Sequence, residues 1–123
     1  MKFTAIYIES DINDVIANVL FADPETNPDE PSVLMFSRAV EFADSSYYFE
    51  VNDQSYGSYG GLDFVKISRD KIEVCLQPEL VTQFGEADFA RIEAEFDVDD
   101  ETYQSMLDIL QKIFANDDVL LVE

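Results

Sequence analysis

The chain has 123 residues, 47% of them hydrophobic, which suits one domain with a real core, so its high charge does not signal disorder. Seven Lys and Arg stand against 27 Asp and Glu, a net charge of −20 that repels nucleic acid and anionic membrane, both of which are held by basic side chains. There is no His, which argues against a Ser or Cys triad and, with a single Cys, against structural zinc.

In chain order, Lys2–Glu9 reads as a first strand and Asp14–Ala22 as a second, turned by Ser10-Asp11-Ile12-Asn13. The opening residues have no long apolar core and no small-residue cleavage site, so neither a signal peptide nor a membrane span is expected. Asp23–Pro31 carries three of the four prolines and four carboxylates and is expected to be a solvated loop. Ser32–Val40 is apolar and reads as a third strand, although Ser37-Arg38-Ala39 leaves a short helix open.

Tyr47–Val51, Leu62–Ile67 and Lys71–Leu76 carry strand signatures, the last setting Ile72, Val74 and Leu76 against Lys71, Glu73 and Cys75. The lone Cys75 therefore reads as an inert strand residue in a reducing compartment. Only Ser68-Arg69-Asp70 separates the second and third of these runs, which predicts a tight hairpin. Asn52–Gly61 is longer than a hairpin needs and contains Gly57, Gly60 and Gly61, which predicts a wide loop. Its Tyr56 and Tyr59 either cover the end of the sheet or serve as contact anchors. Gly57-Ser58-Tyr59-Gly60-Gly61 lacks the Lys-Ser/Thr ending of a phosphate loop and leads into a strand, so no phosphate site is assigned.

Pro78 and Gly85 bracket one or two helical turns at Glu79–Phe84, and Phe89–Val98 alternates Ala90, Ile92, Ala94 and Phe96 with Arg91, Glu93, Glu95 and Asp97. Asp99 or Asp100 caps a helix to about Ala115, along which Tyr103, Met106, Leu107, Leu110, Ile113 and Phe114 form an apolar stripe widened by Ile109. Asp97–Glu101 lacks the glycine and the later Glu of a calcium loop, so no metal is assigned. Val119–Val122 is either a final edge strand or a tail that packs on a partner. The pattern is α+β: a mainly antiparallel β-sheet with one main carboxy-terminal helix packed on one face, in a single domain over residues 1–123.

Tyr47-Tyr48-Phe49-Glu50-Val51-Asn52-Asp53-Gln54, then Tyr59-Gly60-Gly61-Leu62, then the strand pair ending Lys71-Ile72-Glu73-Val74, resemble the immunity protein 10 family. These are small bacterial proteins that protect a cell from a cognate polymorphic toxin. The resemblance continues as a pattern through the amino-terminal strands and the carboxy-terminal helix, and is lost over Asp23–Glu30 and Val119–Glu123. It implies a non-enzymatic, cytoplasmic protein that binds and occludes a toxin, with no catalytic residue and no cofactor to carry over.

The acidic charge has two readings, a merely solvated surface and one that attracts a basic partner. On the second, the candidate contacts are Asp53, Tyr56 and Tyr59, with Asp23 and Glu25 from the Asp23–Glu30 stretch and Asp97, Asp99 and Asp100 from Asp97–Glu101. Lys66, Arg69 and Lys71, three of the seven cations, are read as offsets to local repulsion. The alternative function is an acidic regulatory or nucleic-acid-mimicking interaction module. The oligomeric state is not legible.

Overall fold

Segments of period-two hydrophobicity dominate the chain, and in the computed structural model, which describes Met1 to Glu123, they form two five-stranded sheets. One is an antiparallel meander of β2 (Tyr7–Ile12), β3 (Ile16–Asp23), β4 (Ser32–Ala39), β5 (Tyr48–Val51) and β6 (Asp53–Tyr59), in that order. The other is mixed. Its centre is an antiparallel run of β7 (Leu62–Ile67), β8 (Lys71–Leu76) and β9 (Arg91–Glu95), and its edges are β1 (Lys2–Thr4) beside β9 and β10 (Leu120–Val122) beside β7, both parallel. The final apolar run is thus a strand rather than a loose tail, and Ser37-Arg38-Ala39 belongs to β4 rather than to a helix.

The expected first strand is broken after Thr4. The Ala5 amide donates to the Glu95 carbonyl (2.7 Å) and the Ile6 amide to that of Ala22 (3.0 Å), so neighbouring residues bond to different sheets and the chain crosses between them. The following turn falls later than Ser10–Asn13, because the Asn13 side-chain oxygen accepts the Val15 and Ile16 amides (2.8 and 2.9 Å) and tightens the chain there. Phe89 belongs to a 3-10 turn over Ala87–Ala90, which leaves β9 shorter than the expected Phe89–Val98.

Asn52–Gly61 is not a wide loop. A bulge at Glu50/Val51 and Asn52, at φ 67°, reverse the chain at once into β6. Asn52 is tied to β4 on both sides, its amide donating to the Val33 carbonyl (2.9 Å) and its side-chain oxygen accepting the Val33 amide (3.0 Å). In β6, Gly57 lies opposite Glu50, and the Tyr48 ring fills the space where a Cβ would collide with the Tyr48 hydroxyl. Polar residues and a glycine thus make a strand because a neighbouring aromatic ring supplies the missing cover.

Helix α1 (Pro78–Phe84) ends at Gly85, and α2 (Asp100–Ile113) lies across the inner face of β2–β4. It buries Met106, Leu107, Ile109, Leu110 and Ile113. One core of 27 buried residues joins α2 to both inner faces, with Phe21 meeting Phe96 (5.8 Å between ring centroids) and Phe114 meeting Phe36 and Tyr47 (5.6 and 5.0 Å). From the inner face of β4, the buried Arg38 donates to the Ala43 and Lys112 carbonyls (3.0 Å each) and to the Ser45 hydroxyl (3.1 Å). Leu110 is wholly enclosed, so Leu110→Ala should lower the unfolding free energy by about 2–5 kcal/mol in urea titration. A loss below about 0.5 kcal/mol would show that α2 does not complete the core.

Candidate functional site

The concavity richest in candidate residues lies where the Asp23–Pro31 loop, the Asn52 reversal and the 3-10 turn meet. It has a volume of about 700 Å³ and five carboxylates on its wall: Asp29, Glu30, Asp53, Glu86 and Asp88. The Met1 nitrogen, 3.3 Å from the Asp88 carboxylate, is the cation beside them. Glu86 and Asp88 were not among the sequence candidates; the signal for them was Gly85, whose left-handed φ of 71° ends α1 and turns the following acidic residues to the surface.

The wall owes its shape to local bonding. Asp23 is buried, its carboxylate accepting the Glu25 and Thr26 amides (3.1 Å each) and the Thr26 hydroxyl, so it folds the loop from within. These bonds, the hydroxyl foremost, hold its carboxyl below the usual carboxylate range. Tyr56 also points inward, edge-on to Phe84 and Phe89 with centroids 5.8 and 4.9 Å away. Asp53 is exposed and accepts the Ser55 amide (2.7 Å), while Glu25 extends into solvent. Of the sequence candidates, Asp53 and Tyr56 line this concavity.

The others lie elsewhere. Tyr59, 76% exposed, stands on the outer side of β6 with its ring 4.9 Å from that of Tyr48. Asp97 and Asp100 are exposed around the start of α2, where Asp99 caps the helix by accepting the Thr102 amide (2.7 Å) and has its pKa lowered by hydrogen bonds from Thr102. Asp100 pairs with Arg69 (2.8 Å).

Chemically, the concavity offers negative charge and hydrogen-bond acceptors. No group of three His, Cys, Asp or Glu side chains could hold a metal ion, and Cys75 lies on β8, outside the concavity. No helix is long and apolar enough to cross a membrane.

Four of the seven Lys and Arg lie on the outer face of the mixed sheet. Lys2 pairs with Glu93 and Glu95 (3.1 and 3.3 Å), Lys71 with Glu73 (3.3 Å), Arg91 with Glu73 (3.9 Å) and Lys66 with Glu123 (3.1 Å). The hydrogen bond from Lys2 keeps Glu93 below its ordinary pKa, and the glutamates raise Lys2 and Lys71. Across the molecule, burial and then the bond to Glu50 push the Tyr48 phenol up to about 12.

The family model described as immunity protein 10 matches residues 2–104. No curated protein and no solved structure matches the chain.

The shifts define two arms of stability against pH. Asp23, Glu93 and Asp99 have lowered folded pKa values, so their contribution is present above the unfolded carboxylate range near 4 and is lost as pH falls through the folded values. Tyr48, Lys2 and Lys71 are raised, so theirs is present below the unfolded values of about 10 and lost as pH rises through the folded ones. Urea midpoints taken from acid to alkali should fall at both ends. Asp23→Asn should flatten the acid arm and Tyr48→Phe the alkaline arm; an arm unchanged by its substitution would refute that assignment.

Proposed function

Because the chain belongs to the immunity protein 10 family, we propose that it is a non-enzymatic immunity protein that binds and neutralises a cognate bacterial toxin in the cytoplasm of the producing cell. The family match over residues 2–104 carries this reading. The charge of −20 supports a toxin with a basic surface, and a catalytic triad or zinc site has no histidine to build on. Neutralisation is then steric and electrostatic: the acidic field draws the toxin in, and contact covers the surface the toxin needs for its own substrate.

The direct test is protection. A cell producing the toxin encoded beside this chain's gene should survive when the chain is co-produced, and the two proteins should co-purify. Death despite a well-folded chain, with no complex formed, would sink the reading. Kinetics test the electrostatic part: association should slow markedly as salt rises through about 0.15 M, where the screening length is near 8 Å, while dissociation changes little. Replacing Asp97, Asp99 and Asp100 together by Asn keeps a good helix cap at position 99, removes three charges and should lower the association rate. An association rate indifferent to both salt and these substitutions would contradict steering.

A further inference from the structure

The two sheets turn different chemistry outward. On the mixed sheet, strand pairing sets Lys2, Glu93, Glu73 and Lys66 in one row across β1, β9, β8 and β7, and ion pairs offset its charge internally. On the meander, one outward row runs Glu9, Leu20, Met35, Glu50 and Gly57 across all five strands. The next row ends in Tyr48 and Tyr59, and neither row contains Lys or Arg. The alternate residues, Val19, Phe21, Leu34, Phe36 and Phe49, are wholly buried on the inner side, whereas Leu20 and Met35 stay half-buried outside the core.

Resting on the immunity reading, we propose that the outer face of the meander sheet is the toxin-docking surface, and that it takes a protein surface in which Lys or Arg side chains surround an apolar patch. Its centre is aliphatic, Leu20 beside Met35, and its flanks are acidic. Glu9 on β2 and Glu50 on β5 are three strand spacings apart, about 14 Å. A partner with cations at that separation and an apolar group between them matches both features.

The aromatic residues are pre-set. The Tyr48 hydroxyl donates to Glu50 (2.7 Å), its ring crosses Gly57, and Tyr59 leans on it, so little rotamer freedom is left to lose on contact. Tyr and Met are enriched and Lys depleted at interface cores, which is the composition of this face. A second copy is a poorer occupant, because a two-fold contact would set Glu9, Asp11 and Glu50 against their own equivalents without a cation.

The probe is the toxin encoded beside the chain's gene. Tyr7, two residues before Glu9 on β2 and so on the same side, and Tyr59 are 51% and 76% exposed, so Tyr7→Ala with Tyr59→Ala should leave the urea midpoint nearly unchanged and make dissociation about tenfold faster or more. Glu9→Arg with Asp11→Arg should slow association more than Asp63→Arg with Asp108→Arg, which makes the same charge change away from this face. Tyrosine variants that dissociate at the wild-type rate, or losses confined to the Asp63/Asp108 pair, would overturn the proposal while leaving the immunity reading intact. Self-association of the chain alone, abolished by the same tyrosine substitutions, would assign the face to a second copy and overturn it too. Failure of the unaltered chain to bind the toxin would instead remove the immunity reading itself.

Discussion

Enclosure of the core depends on Arg38. In a chain with 27 carboxylates, the most deeply buried basic side chain meets none of them; its guanidinium is held by backbone carbonyls and one serine. A carboxylate partner would have placed a second charge in the core, with its own desolvation cost. The Lys112 carbonyl avoids this, because it lies in the last turn of α2, where partial negative charge gathers without a formal one. The planar fork of arginine reaches Ala43, Ser45 and Lys112 together, which a lysine could not do. Asn116 adds a second tie to the Ala43 carbonyl (2.8 Å), so β4, the loop after it and the end of α2 are fixed as one unit.

The remaining cations act on distribution rather than on the core. Exposed ion pairs stabilise little individually, so those on the mixed sheet matter chiefly because they cancel charge locally. Arg69 does similar work at the start of α2, where it pairs with Asp100, donates to the Val98 carbonyl (2.8 Å) and lies 5.0 Å from the Tyr103 ring centroid. Most of what remains uncancelled lies off the outer face of the mixed sheet, on the loops, along α2 and around its two ends, in the concavity and on the outer meander face. A uniform charge would attract a basic partner without orienting it; an uneven one also turns it.

Much of this fold was legible in the sequence, and the parts that were not share a cause. β3, β4, β7, β8 and α2 bury one side and expose the other, so their hydrophobic period declares them. β6 has no such period; it exists because Tyr48 covers Gly57 and Asn52 reverses the chain, both matters of tertiary contact. The division into two sheets rests on the crossing at Ala5-Ile6 and on parallel pairings between residues as distant as Lys2 and Glu93, which composition does not reveal. Among the site candidates, Asp53, Tyr59, Asp97 and Asp100 are on the surface, Asp53 and Tyr59 from strand β6 rather than from the expected loop. Asp23 and Tyr56 are turned inward by Thr26 and by Phe84 and Phe89, partners that the local sequence could not identify as such.

The last strand of the meander has one side without a neighbour. The Gly60 amide donates to the Tyr47 carbonyl (3.2 Å), which makes that the closely bonded pair; alternation then turns the amides and carbonyls of Gly57 and Tyr59 away from β5. From Gln54 to Tyr59 there is no Lys, Pro or other charged residue to blunt this border, so side chains alone do little to stop another copy from extending the sheet. The protein's overall repulsion opposes such pairing, and its strength is set by the medium. Near the isoelectric point of 4.1 the repulsion disappears while the unpaired backbone stays as it was. The acidity read above as an attraction for a basic partner therefore also opposes edge-to-edge contact between identical chains, and a strongly neutralising environment would remove that opposition along an edge that the amino acids on it leave unguarded.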